Sequence, residues 1–141
     1  LKDAVMRRLL IILVYILLLF NGIGALYGGW NLMMHPDGSS IELTPAWLLH
    51  TPFNNYFIPG LVLFVANGVF SLVAFAAMVF KHRLYPWLIM AQGAILAGWI
   101  VIQMLLIQTV YFLHYVMGGT GITLLIVGYL LLKINKTTKA M

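Results

Sequence analysis

Residues 84–132 read LYPWLIMAQGAILAGWIVIQMLLIQTVYFLHYVMGGTGITLLIVGYLLL, 49 consecutive residues without an Asp, Glu, Lys or Arg. As one helix rising 1.5 Å per residue, the stretch would be about 74 Å long, more than twice the roughly 30 Å of hydrocarbon in a bilayer. It must therefore fold back on itself. Counting about 22 residues inward from each end places the reversal near 106–110, around Gln108 and Thr109, and yields two helices over 84–105 and 111–132.

The rest of the chain divides by the same arithmetic. An apolar run over 9–33 follows Arg7 and Arg8 and is interrupted only by uncharged Asn21 and Asn31. It exceeds the roughly 7–15 residues of a signal-peptide core and lacks a clear small-x-small cleavage site, so it reads as a span. A further span over 59–80 opens at Pro59, whose missing N–H costs nothing in a first turn, and stops before Lys81, His82 and Arg83. The expected fold is a single all-α membrane domain over 1–141, a bundle of four transmembrane helices. All eight Lys and Arg fall at the two ends or in the 81–83 turn, and the two other connections carry none. By the positive-inside bias this places both termini on the cytoplasmic side, which requires an even number of crossings. Three spans would leave Lys133, Lys136 and Lys139 outside.

Composition agrees. With 63% hydrophobic and 8% charged residues and a mean hydropathy of +1.02, the apolar surface exceeds what a water-soluble core absorbs. The chain has no cysteine, which removes disulfides, thiolate metal sites and thiol redox chemistry. The formal charge of +5 does not indicate nucleic acid, because the basic residues only flank apolar segments.

No ionisable Asp, Glu, Lys or Arg lies within a span, so ion-coupled transport lacks the group it needs. Uncharged polar residues do occur there: Asn21, Asn67, Ser71, Gln92, Gln103, Thr120 and Thr123. Two readings fit them. They join helices through hydrogen bonds, averaging about 0.6 kcal/mol each, or they line a pocket and orient the polar head of a lipophilic ligand. The candidate ligand-binding set for the second reading is Asn67, Gln92, Trp99, Gln103, Tyr111, His114 and Tyr115, with Gln92 and Gln103 eleven residues apart on one helix face. Gly24 and Gly28 form a GxxxG, and Gly93 with Ala97 and Ala94 with Gly98 give further small-residue pairs, the expected helix-packing positions.

The connection over 34–58 is the one sizeable element outside the spans. Its start, His35-Pro36-Asp37-Gly38, reads as a tight turn, and Thr44 before Pro45 as the cap of a short interfacial helix through His50. Trp47, Phe53, Tyr56 and Phe57 suit the headgroup zone. His35, Asp37, Glu42, Trp47 and His50 are the candidates for a lid or docking surface. His35, Asp37, Glu42, His50 and His114 could share one side, but no HxxxH or HExxH spacing supports a metal centre. A bis-histidine haem would need a second histidine at the depth of His114, and His35, His50 and His82 lie elsewhere. No catalytic residue, metal or cofactor is therefore expected.

Read together, Gly28-Gly29-Trp30-Asn31, His35-Pro36-Asp37-Gly38-Ser39, Thr51-Pro52-Phe53, Tyr56-Phe57-Ile58-Pro59-Gly60 and Gly98-Trp99 with Gln103 resemble a group of small bacterial four-helix inner-membrane proteins. These carry a PDGS turn, a TPF…YxIPG entry to the second helix and a GWxxxQ in the third. The resemblance implies a bacterial cytoplasmic membrane and the helix arrangement above, and it implies no reaction. The expected function is a non-enzymatic accessory or assembly subunit acting by helix packing. The alternative is a binder or transporter of a lipid or quinone in an intrabundle pocket. Expected partners are membrane lipids and another membrane protein or a second copy.

Overall fold

The computed structural model describes residues 2–49, 51–107 and 112–140, without side chains at 106, 107 and 137–140. Four helices dominate: α1 (Lys2–Met34), α2 (Phe57–Val79), α3 (Tyr85–Ile107) and α4 (Phe112–Ala140), with no strand among the described residues. All four are long and apolar enough to cross a membrane. The expected reversal around Gln108 and Thr109 falls outside the described residues, bracketed by the end of α3 and the start of α4.

Neighbours follow chain order around the bundle, with α4 closing back against α1. The tightest pairs are α3 with α4 and α1 with α2. Both are antiparallel and both are held at backbone distance by glycine. On α1, Val14, Leu18, Gly22, Ala25, Gly29 and Leu32 are buried, a three-and-four spacing that keeps one stripe on a partner helix. A Cβ on Gly29 would lie 2.7 Å from the Gly60 carbonyl oxygen and from Phe64 Cβ, and one on Gly60 would lie 2.6 Å from Leu32 Cβ. Across the other pair, a Cβ on Gly93 would lie 2.6 Å from the Gly121 carbonyl oxygen, and one on Gly121 would lie 2.8 Å from the Ala97 amide nitrogen. No real side chain tolerates such distances, so these helices approach more closely than alanine permits.

The packing positions thus differ in part from those expected. Gly93 and Ala97 lie in the α3–α4 contact, but a Cβ on Gly24 or Gly98 would meet nothing within 4 Å, and one on Gly28 would meet only Leu63 Cδ2 at 3.4 Å. Ala94 is exposed. The reason is helical phase: the α1 seam runs through Gly22 and Gly29, seven apart, so a residue two beyond Gly22 is rotated by about 200° out of it.

Below these seams, Val14 and Leu18 of α1, Ala74 and Met78 of α2, Tyr85 and Ile89 of α3, and Leu124, Val127 and Leu131 of α4 form one buried cluster joining all four helices. Helix α2 ends next to it. His82 N–H donates to the Ala77 carbonyl and Lys81 N–H to that of Met78, while Lys81 takes a φ of 54°. This is the left-handed closing residue that glycine usually supplies. Beside it, Arg7 Nη2 and Asn135 Nδ2 both donate to Tyr85 Oη at 3.3 and 2.9 Å, and Arg7 Nε donates to Asn135 Oδ1 at 3.1 Å. One tyrosine hydroxyl thereby ties α1, α3 and α4 at the cationic end.

Close approach makes the seams intolerant of volume. Gly93→Ala is expected to cost about 1–3 kcal/mol by overpacking, whereas Gly24→Ala costs nothing measurable. Reversible unfolding of the two variants in mixed detergent micelles checks the difference, and equal effects would contradict the assigned seam.

Candidate functional site

Midway along the bundle the apolar packing is broken by an amide and hydroxyl cluster. Asn21 of α1, Asn67 and Ser71 of α2, and Gln92 of α3 are each at most 1% exposed. Asn21 Nδ2 donates to Ser71 Oγ at 2.9 Å and to the Asn67 carbonyl oxygen at 3.4 Å. Ser71 Oγ donates to Gln92 Oε1 at 2.9 Å, and Gln92 Nε2 donates to Asn67 Oδ1 at 3.2 Å. Three helices are thus joined through one ring of hydrogen bonds, closed by the Asn67 backbone carbonyl.

Local structure brings them together. Residues Leu63–Val69 of α2 form a π-helical stretch, with Phe70 N–H donating to the Val65 carbonyl five residues back. Such wide turns are uncommon and recur at functional positions. Here the stretch holds Asn67 and Gly68, both buried, with Gly68 pressed against Leu26 so closely that a Cβ would lie 2.7 Å from Leu26 Cδ2. Gly22 performs the same service on α1, since a Cβ there would lie 3.2 Å from Ser71 Cβ. The small residues let α1 and α2 come close enough for Asn21 to reach across.

Of the expected ligand-binding residues, Asn67 and Gln92 are joined by a direct hydrogen bond. Gln103, eleven residues along α3, is half-buried. Trp99 is half-buried as well, with its indole N–H enclosed and unpartnered. His114 is buried on α4, and neighbouring Tyr115, about 100° around the helix, points out of the bundle at 72% exposure. Tyr111 lies outside the described residues. Asn21 and Ser71 complete the cluster and are absent from the expected set. Two surface hollows, of about 510 Å³ along Lys2, Val5, Met6 and Leu9 and about 190 Å³ along Pro52, Phe53, Asn54, Asn55 and Ile58, touch none of these positions.

The connection between α1 and α2 is a folded cap. Gly38 N–H donates to the His35 carbonyl at 2.9 Å, and Gly38 takes a φ of 82°, the left-handed geometry that glycine adopts without strain. Ser39 donates through its N–H at 3.0 Å and its hydroxyl at 2.7 Å to Asp37 Oδ1. Those bonds, the backbone one first, hold the Asp37 carboxyl below the ordinary aspartate range. Thr44 caps a short 3-10 helix at Pro45–Leu48 by accepting from Ala46 N–H at 3.2 Å. Tyr56 then fastens the cap: its hydroxyl donates to the Thr44 carbonyl at 2.6 Å, its N–H donates to the Pro36 carbonyl at 2.8 Å, and its ring packs with Leu32 and Leu48. Burial pushes its phenol upward.

Among the cap candidates, His35, Asp37 and Glu42 are exposed, Trp47 is half-buried and His50 lies outside the described residues. No three His, Asp or Glu side chains converge within metal-binding reach among the described residues. No protein-family model matches the chain, and neither a curated protein nor a solved structure is significantly similar to it.

Removing Gln92 strands two buried groups at once. Gln92→Leu is expected to cost about 1–2 kcal/mol, and the Asn67→Leu, Gln92→Leu double variant less than the sum of the two singles, since both ends of one bond are then gone. A double-mutant cycle by unfolding in mixed micelles measures it; strict additivity would deny the bond.

Proposed function

We propose that this chain is a non-enzymatic multi-pass membrane protein, an accessory or assembly subunit that acts by presenting a rigid helical surface. The observation that carries the reading is that buried polar side chains of three helices bond to one another. Backbones meet at glycine seams, and the buried amides of Asn21, Asn67 and Gln92 are engaged with one another and with Ser71. A pocket for a lipophilic ligand would need Asn67 and Gln92 turned toward the guest, so their mutual bonds weigh toward packing. Outward, α1 offers Leu9, Leu13, Ile16, Phe20, Ile23, Tyr27 and Trp30 at alternating spacings of four and three, with Gly24 open beside them. That is the spacing another transmembrane helix reads.

The orientation belongs to the same proposal. The charge bias supports both termini and the 80–84 turn facing the cytoplasm, with the cap on the opposite side. The resemblance in the Pro36-Asp37-Gly38-Ser39 and Tyr56-Phe57-Ile58-Pro59-Gly60 segments supports a bacterial cytoplasmic membrane as the location.

Because the chain has no cysteine, single cysteines report cleanly. Ser40→Cys is expected to react with a membrane-impermeant maleimide in intact cells, and Lys136→Cys only after permeabilisation; the reverse pattern would invert the orientation. Native mass spectrometry from lipid nanodiscs is expected to retain a stoichiometric protein partner that Gly24→Leu releases while the bundle remains folded. Retention of a small molecule and no protein would sink the subunit reading.

A further inference from the structure

The hydrogen bonds of the central cluster leave two atoms over, and their identities follow from the chain of donors. The Asn67 carbonyl can only accept, so the Asn21 atom facing it must be Nδ2. That nitrogen also donates to Ser71 Oγ, whose hydroxyl donates to Gln92 Oε1. Gln92 turns Nε2 to Asn67, where Oδ1 accepts. Asn21 Oδ1 and Asn67 Nδ2 are what remain. Both are enclosed, and neither has a hydrogen-bond partner. One is an acceptor and the other a donor, they belong to residues already in contact, and both residues are at most 1% exposed.

We infer that the α1–α2 interface holds a binding site for a single water molecule, which accepts from Asn67 Nδ2 and donates to Asn21 Oδ1. Water supplies both complements in the smallest volume. Energetics favour occupancy. A polar atom left unpaired in a hydrocarbon setting loses its full solvation, and one ordered water that repairs two such atoms costs less than either loss. Burying a water needs at least two polar partners, and the pair supplies that number. The site also lies beside the π-helical stretch, which carries Asn67.

The test uses the whole chain, with isotope-labelled asparagine side chains, in lipid nanodiscs. Rotating-frame Overhauser transfer from water is measured at each side-chain amide, because its sign separates proximity from proton exchange. The expected result is a proximity peak at the Asn67 amide. In Asn21→Leu, which keeps the volume but removes the acceptor, that peak falls to background. Silence at Asn67 in the unmodified protein, with the exposed amides of Asn54 and Asn55 responding in the same sample, overturns the proposal whether or not the variant folds. So does a peak that Asn21→Leu leaves unchanged in a folded protein.

Discussion

Helices that meet in hydrocarbon gain nothing from hiding apolar surface, because the lipid is as apolar as leucine, and they associate only where they fit more closely to each other than to lipid. In the proposed membrane setting, that constraint organises this protein. The Gly29–Gly60 and Gly93–Gly121 approaches let peptide backbones touch, and dispersion between closely spaced atoms replaces the hydrophobic effect as the source of cohesion. The wide turn in α2, the amide cluster and the tyrosine tie at the cationic end all depend on that proximity. Side chains as short as asparagine and serine span two helices only when the axes are unusually near.

Packing and polarity then divide the labour. Glycine seams give adhesion but little directional information, because a smooth stripe can slide by a turn. The cluster of Asn21, Asn67, Ser71 and Gln92 fixes register, since its bonds form at one depth only. Arg7, Tyr85 and Asn135 repeat the device at the end of the bundle, where water makes charge affordable. The cap applies it a third time outside the helices, using one tyrosine to hold two strands of loop backbone.

The four helices were legible in the sequence because hydrocarbon thickness and helix rise are fixed lengths, so the 49-residue run could only be two elements. The seams were less so. Gly24 and Gly28 attract attention as a four-residue repeat, yet the working spacing is seven, as in Gly22 and Gly29 or Gly121 and Gly128, and phase depends on which side the neighbours stand. Asn67 and Gln92 could be listed as polar, but their union with Asn21 and Ser71 required knowing which helices adjoin. A depth count offers a partial signal: measured from the cationic end of each apolar run, all four fall between about the ninth and fourteenth residue, near mid-span. The wide turn left no such trace. Leu63–Val69 has an unremarkable composition, LFVANGV, with nothing in it that marks a widened turn.

The register of the first seam also sets how far the helices overlap. Pairing Gly29 with Gly60 and Gly22 with the Ser71 level sets the end of α2 opposite roughly the thirteenth residue of α1, so about twelve residues of α1, some 18 Å, continue beyond it. The C-terminal part of α4 runs on past the start of α3 alongside, joined to α1 by Arg7 and Asn135. Arg7 nonetheless reaches back to Tyr85 Oη at 3.3 Å, so its charge stands beside the start of α3 although its helix runs on, and the overhang is splinted to the shorter helix pair instead of projecting free.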